Sequence, residues 1–202
     1  MRVYPEYSCE ICGSQEYILC KKLTARLVDE KKAKFNVVRC KKCQLHSLYP
    51  IPLNTDLEWI YKSYSIKGDR QSVEKARIDK IYPEKIQKIK QYHSKPKVLD
   101  IGAGLGGFCF IAKCQHFETV GIEMEAEQVA IANKIFNVEL INDSIENFII
   151  YNDQVFDVIH MHHVLEHLRY PKYILYKLQN ILSDDGIFFW KYQINFLYAE
   201  KS

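Results

Sequence analysis

VLDIGAGLGGF, residues 98–108, carries G-x-G-x-x-G through Gly102, Gly104 and Gly107 at the end of a short apolar run. Glycines at that spacing permit a tight turn and bring the backbone close to a nucleotide-like ligand beyond the carboxyl end of a strand. Such a loop serves pyrophosphate dinucleotides and S-adenosylmethionine alike, so its neighbours have to discriminate. Asp100, two places ahead of Gly102, favours the second. A carboxylate beside a pyrophosphate brings two anions together, whereas it suits a ligand that carries an ammonium group.

From residue 97 onward, short apolar runs alternate with amphipathic stretches. KVLDI, ETVGIE, VELIND, FDVIHMH and GIFFWKYQ read as strands; GGFCFIAKCQH, AEQVAIANKIF, SIENFIIY and LEHLRYPKYILYKLQNIL read as the helices between them. That pattern predicts an α/β fold with a five-stranded parallel sheet covered on both faces. Upstream, DLEWIYKSY and SVEKARIDKIYPEKIQKIKQYH read as helices, the second broken near Pro83. Ligands of open α/β sheets bind past the strand ends, so the residues there are the candidates. Glu123, followed by Met124, ends the second strand, and its acceptor-only carboxylate can take both hydroxyls of a ribose in either ligand class. Asp143 and Ser144 end the third. Asp143 can accept from an adenine amino group, and Ser144 also stands where it would cap the helix of IENF. The fourth strand releases the densest cluster: Met161, His162, His163, Glu166 and His167. Cys109 and Cys114, on the helix after the glycine loop, are expected in the core.

The first fifty residues are of another kind. CEIC and CKKC pair Cys9 with Cys12 and Cys40 with Cys43. Two C-x-x-C turns supply four thiolates to one tetrahedral Zn²⁺, and a segment this short relies on the metal to fold. YILCKKLT and KFNVVR read as two strands joined by the charged turn VDEKKAK, which makes residues 1–50 a zinc ribbon. Cys20 lies in the first of these strands and is expected to pack rather than ligate. Seven cysteines, four of them in such pairs, argue against a secreted disulfide framework. The first fifty residues hold ten Lys or Arg against five Asp or Glu, and the remainder eighteen against twenty, an asymmetry that suits a solvated module or an anionic partner. Tyr4, Tyr7, Tyr17 and Phe35 are too scattered along the chain to read as a stacking platform for nucleic acid. No apolar run approaches the roughly 20 residues of a membrane span. MRVYPEYSCE lacks a signal-peptide core, so a cytoplasmic protein without a membrane partner is expected.

VLDIGAGLG, the GIE that ends in Glu123, FDVI, HVLEH, Pro171 and LSDDGIFF together resemble the class I S-adenosylmethionine-dependent methyltransferases. VVRCKKCQLHSLYPIPLNTDLEWIY is similar to the zinc-knuckle lead-in of bacterial members that sit among sugar- and polysaccharide-modifying enzymes. The resemblance covers residues 9–192. It implies a Rossmann-like sheet of order 3-2-1-4-5 within residues 97–202, a helical linker or cap over 51–96, and S-adenosylmethionine as cofactor. It places Asp100, Gly102, Ala103 and Gly104 under the methionine part of that cofactor. Glu123 falls at the ribose and Asp143 at the adenine, with Met124 and Ser144 beside them, and Met161 and His162 end the fourth strand against the cofactor. His163, Glu166 and His167 match the HVLEH at the mouth of the site and are the candidate catalytic groups. Transfer from a sulfonium is an in-line displacement governed by alignment. An acceptor that must lose a proton also needs a base, and histidine's titration near neutrality suits that task.

The implied acceptor is a small molecule, such as a nucleotide-linked sugar. The alternatives are an RNA methyltransferase docked through its basic ribbon, and a non-catalytic cofactor-binding module. Family sheets continue past the fifth strand with an antiparallel pair where this chain has INFLYAEKS. The C-terminal strands are therefore expected to be missing because the chain is a fragment, or else a second copy or another partner is expected to cover the fifth strand's edge.

Overall fold

The computed structural model describes residues 6–26, 32–51, 70–168 and 170–191. The chain forms two compact units, one containing Met1–Gly68 and the other Asp69–Ile194. DLEWIYKSY and INFLYAEKS fall outside the described residues.

In the first unit, β1 (Tyr17–Arg26) and β2 (Lys32–Cys40) pair antiparallel, and β3 (His46–Tyr49) adds to the far side of β2. The third strand is new relative to the sequence reading, because four residues, HSLY, are too few for an alternation to show. Most of the expected turn at VDEKKAK lies outside the described residues, and β2 has already begun at Lys32. Cys20 does not pack. Pairing passes from Leu19 to Lys21, which leaves Cys20 exposed as the extra residue of a bulge. Tyr7 and Tyr17, distant in sequence, meet at 4.7 Å between ring centroids, with Tyr49 5.5 Å from each.

The second unit is built on β4 (Lys97–Ile101), β5 (Glu118–Glu123), β6 (Leu140–Asn142), β7 (Phe156–His162) and β8 (Leu182–Lys191). All four pairings are parallel and the order is β6-β5-β4-β7-β8, which is the expected 3-2-1-4-5. Val98 to Ile101 and Val158 to Met161 are buried without alternation, because both faces of these central strands are covered. On one face lie α1 (Arg70–Lys80), α2 (Tyr82–Lys90) and α3 (Gly107–Cys114). Tyr82, Ile86 and Ile89 recur along α2 at helical spacing and pack on Val98, Phe108 and Val158. The break between the first two helices falls at Ile81, and Pro83 occupies the first turn of α2, where its missing N–H would have had no helical partner. After α4 (Ala126–Phe136) come α5 (Ile145–Tyr151) and α6 (Pro171–Gln179), which set Ile145, Phe148, Ile174 and Leu178 against Leu99, Ile101 and Ile159 on the other face.

LEHLRYPKYILYKLQNIL is not one helix. A 3₁₀ turn covers Leu165–His167, and α6 starts afresh at Pro171. A residue preceding proline avoids the helical region, and Tyr170 sits at φ −126°, ψ 66°. Cys109 is buried as expected; Cys114, the last residue of α3, is exposed.

Gly121 marks the tightest packing around β5. A Cβ there would strike the Leu140 side chain and lie 2.9 Å from Cys109 Sγ. Gly121→Ala is expected to destabilise the fold by about 1–3 kcal/mol, read as a lower urea midpoint with an unchanged slope. Among the described residues no helix is long and apolar enough to cross a membrane.

Candidate functional site

The loop between β4 and α3 is tied to β5. Ala103 N–H donates to Ile122 C=O, and Gly104 N–H donates to Glu123 Oε2, each at 2.9 Å. Gly102 lies at φ +67°, and a Cβ there would run into Val164 from the segment after β7, so only glycine lets the loop pass that side chain. The third motif glycine behaves differently. Gly107 opens α3, and its missing Cβ admits Glu74 of α1, whose Oε1 accepts from the Gly107 N–H at 3.0 Å. Glu74 also accepts from the Tyr82 hydroxyl at 3.1 Å and from Arg77 at 3.3 Å, and burial raises its pKa. A phosphate would use this helix N-terminus. A carboxylate already occupies it, which speaks against the pyrophosphate reading of the loop. Nothing in SVEKARIDK sets Glu74 apart from an ordinary surface acid, so sequence reasoning missed it.

Asp100 is turned onto the neighbouring strand. Its Oδ1 is 2.6 Å from His160 Nδ1, its register partner on β7, and its Oδ2 accepts from Cys109 Sγ at 3.4 Å. On the other side of the ring, His160 Nε2 is 2.7 Å from Lys85 Nζ. The ammonium donates to Nε2 and Nδ1–H donates to Asp100, which sets His160 as a neutral imidazole between two charges. His160 is 1% exposed and stacks on Phe108 at 3.8 Å. Burial lowers its pKa and takes that of Lys85 down to about 8. In the fold the Asp100 carboxylate, expected beside a ligand's ammonium, is engaged with His160 and Cys109 inside the sheet.

At the tip of β5, Glu123 accepts from Gly104 N–H and Glu125 N–H, and burial raises its pKa. Each oxygen keeps a second lone pair for a ribose hydroxyl. Met124 beside it is 65% exposed. At the tip of β6, Asp143 Oδ1 accepts from Ser144 N–H and the Asn147 amide, and Oδ2 from the Tyr151 hydroxyl. The Asn147 bond, then that of Ser144, lowers its pKa. Ser144 Oγ caps α5 by accepting from Asn147 N–H at 3.2 Å. This pair is built as a helix start, and what capping leaves is what it offers a ligand.

At the tip of β7, Met161 is fully buried in the core under α5 and α6. His162 faces the other way. Both of its ring nitrogens are buried without a hydrogen-bond partner among the described residues, and the ring stacks on His163 at 4.4 Å. Burial, then the charge of Lys85, takes its pKa down to about 2, so it is a neutral donor and acceptor rather than a base. His163 sits at φ +59° with Nδ1 3.2 Å from Glu166 Oε1. A non-glycine residue held there marks a position over-determined by its surroundings. The structure thus brings His162, His163 and Glu166 together, with His167 exposed at the end of the 3₁₀ turn.

In the first unit, Cys9 Sγ and Cys43 Sγ are 3.5 Å apart, Cys12 Sγ and Cys40 Sγ 3.6 Å, and all four lie within 4.8 Å of one another. Sulfurs about 2.3 Å from one tetrahedral centre stand about 3.8 Å apart, whereas a disulfide requires about 2.05 Å. The group fits a metal and not a bridge. The two knuckles repeat each other: Gly13 N–H donates to Cys9 C=O and Gln44 N–H to Cys40 C=O, with φ of +70° and +65° at Gly13 and Gln44. The Cys43 N–H, aided by that of Lys42, brings the Cys40 thiol down to about 6 against the cost of burial, whereas Cys43, despite the Leu45 N–H, is pushed up to about 12 by burial and the other three sulfurs, so negative charge is shared unequally among the four.

A methyltransferase-domain family model matches residues 73–202. Among solved structures, the plantazolicin methyltransferase BpumL in complex with SAH aligns with a TM-score of 0.51 at 22% identity, covering 66% of this chain and 57% of that one. The complex of BpumL with a monoazolic desmethylPZN analog and SAH gives 0.50 at 21% identity, covering 66% and 58%. The PH0226 protein from Pyrococcus horikoshii OT3 gives 0.49 at 22%, covering 64% and 57%. The chain spans less than two thirds of the length of each of these. No curated protein matches the chain. The BpumL structures share its fold, and the family match extends over more than half of its residues. By that match, the chain belongs to the methyltransferase-domain family.

Proposed function

We propose that the protein transfers a methyl group from S-adenosylmethionine to a small-molecule acceptor, such as a nucleotide-linked sugar. The observation that carries this reading is the contact between Glu123 and the Gly104 N–H, which joins a ribose-type acid to the glycine loop while Glu74 fills the phosphate position. BpumL, of the same fold, is a methyltransferase with bound SAH. When bound, the cofactor supplies an electrophilic methyl on a sulfonium. The chain's residues align and deprotonate. Glu123 accepts the ribose hydroxyls, Met124, Asp143 and Ser144 border the adenine, and the Gly102–Gly104 loop underlies the methionine part. For an acceptor that loses a proton, His163 is the base: Glu166 takes its Nδ1–H, which leaves Nε2 for the acceptor. The four cysteines hold a structural Zn²⁺ in the first unit.

Calorimetric titration with SAH tests the cofactor, and turnover across a metabolite panel tests the transfer. Glu123→Ala is expected to weaken SAH about tenfold or more. His163→Ala is expected to lower kcat by about 10²–10⁴ with SAH affinity unchanged. Heat from NADH but none from SAH would sink the reading. Binding without turnover on any acceptor would leave a cofactor-binding module, and transfer only to RNA, weakened by salt, would move the acceptor class.

A further inference from the structure

We infer that the acceptor carries an oxyanion, a carboxylate or a phosphate, held between Lys85, His162 and Lys191; this deepens the methyl-transfer reading and rests on it. Alternate residues of a strand share a face. Along β7 on the α1–α2 side, Val158 packs in the core, His160 is locked between Lys85 and Asp100, and His162 stands last. Lys191 is the register partner of His162 on β8, one strand spacing of about 4.8 Å away, so the two side chains leave the sheet on the same side.

The polar inventory of this corner does not close. Lys85 is 7% exposed, spends one of its three N–H donors on His160 and lies 5.8 Å from the centroid of the Tyr82 ring, with no further hydrogen bond among the described residues. The donor and the acceptor nitrogen of His162 are both unmatched. Lys191 has no carboxylate among the described residues. The acids nearby are already taken: Glu74 by Gly107, Tyr82 and Arg77, Asp100 by His160 and Cys109, and Glu166 by His163. Donors from two lysines and an imidazole, with no acid left among the described residues to accept from them, form the surroundings in which a group with several charged acceptor oxygens binds. A lone hydroxyl matches one or two of those donors and none of the charge, and a cation is repelled by Arg77, Lys85 and Lys191. Because the His162 ring stacks on His163, an anion seated at His162 also brings the rest of the acceptor beside the proposed base.

The test uses the full chain, ¹⁵N-labelled and saturated with SAH, titrated with inorganic phosphate and separately with acetate while chloride holds ionic strength constant. One or both anions are expected to move the His162 ring nitrogen signals with a roughly millimolar Kd. Lys191→Met is expected to raise that Kd at least threefold. The anion that binds more tightly names the acceptor class. Silence from both anions means that water alone fills the corner, and overturns the proposal. So does a Kd that Lys191→Met changes less than threefold, which marks an adventitious ion only. Lys191 is exposed, so its substitution leaves the fold intact, whereas replacing Lys85 also disturbs His160 and Asp100. SAH heat is measured on the same sample. An anion response without SAH heat removes the methyl-transfer reading, and SAH heat without an anion response removes the oxyanion.

Discussion

Cys40→Ser, or a strong chelator, is expected to strip one zinc per chain and unfold the β1–β3 sheet. The apolar groups of the first unit are few: Tyr7, Cys9, Val38 and Cys40 in one cluster, Leu23, Phe35 and Val37 in another. Two members of the first cluster are themselves proposed ligands, so losing the metal opens the centre of the sheet. Structural zinc contributes on the order of 10 kcal/mol or more in modules of this size, and the gross burial of these few side chains, at about 1.5–3 kcal/mol each, is largely cancelled by the conformational entropy of ordering the chain. The measurement is the amide spectrum of Val37 and Val38, whose dispersed signals should collapse to unfolded positions, alongside metal content falling to zero. Acid should do the same, because the ligands must be thiolates. Cys20→Ser is the control, and its exposed bulge position predicts no change in either readout. A spectrum indifferent to chelation would show that the four sulfurs meet for another reason.

The alternation of strands and helices and the glycine loop were legible because both rest on local patterns, apolar runs of strand length and glycines where the backbone turns, whereas the strand order came from the family resemblance. The limits were equally physical. The pairing of Asp100 with His160 depends on β4 and β7 lying side by side, sixty residues apart in the chain, and no local pattern encodes it. Read alone, Asp100 looked like a ligand group; in the fold it is one end of a buried chain. Glu74 shows the same blindness from the other direction, since its role arises only where α1 crosses the start of α3. His162 and His163 were legible as a cluster, but their division of labour follows from burial: one is an unpartnered neutral ring, the other is tied to Glu166. The split of LEHLRYPKYILYKLQNIL at Pro171 was legible in principle, since the residue before a proline avoids the helical region.

Asp100→Ala is expected to cost about 3–5 kcal/mol, because it removes the carboxylate that does most to balance a buried ammonium. The three groups form one unit: Lys85 and His160 are 7% and 1% exposed, and Asp100 is 3% exposed. Asp100→Asn keeps an acceptor for His160 Nδ1–H and should cost less. Replacing all three by apolar residues of similar volume should cost less than the sum of the single changes, since the penalty lies in leaving a charge unpaired. Lys85 also gives the stability a pH signature. Its pKa falls from an ordinary 10.5 to about 8 in the fold, with burial as the main cause. Below pH 8 it is charged in both states and the burial penalty is paid in full. Between pH 8 and 10.5 the unfolded chain holds the proton more tightly, so stability rises with pH across that window, by about 3 kcal/mol in total. Other groups titrate there as well, so the quantity to measure is the difference between the native chain and Lys85→Met in urea unfolding at pH 7, 8, 9 and 10. That difference should shift in favour of the native chain as pH rises. Curves that stay parallel would mean that Lys85 keeps its ordinary affinity for protons, and that its amine is not buried as the fold shows it.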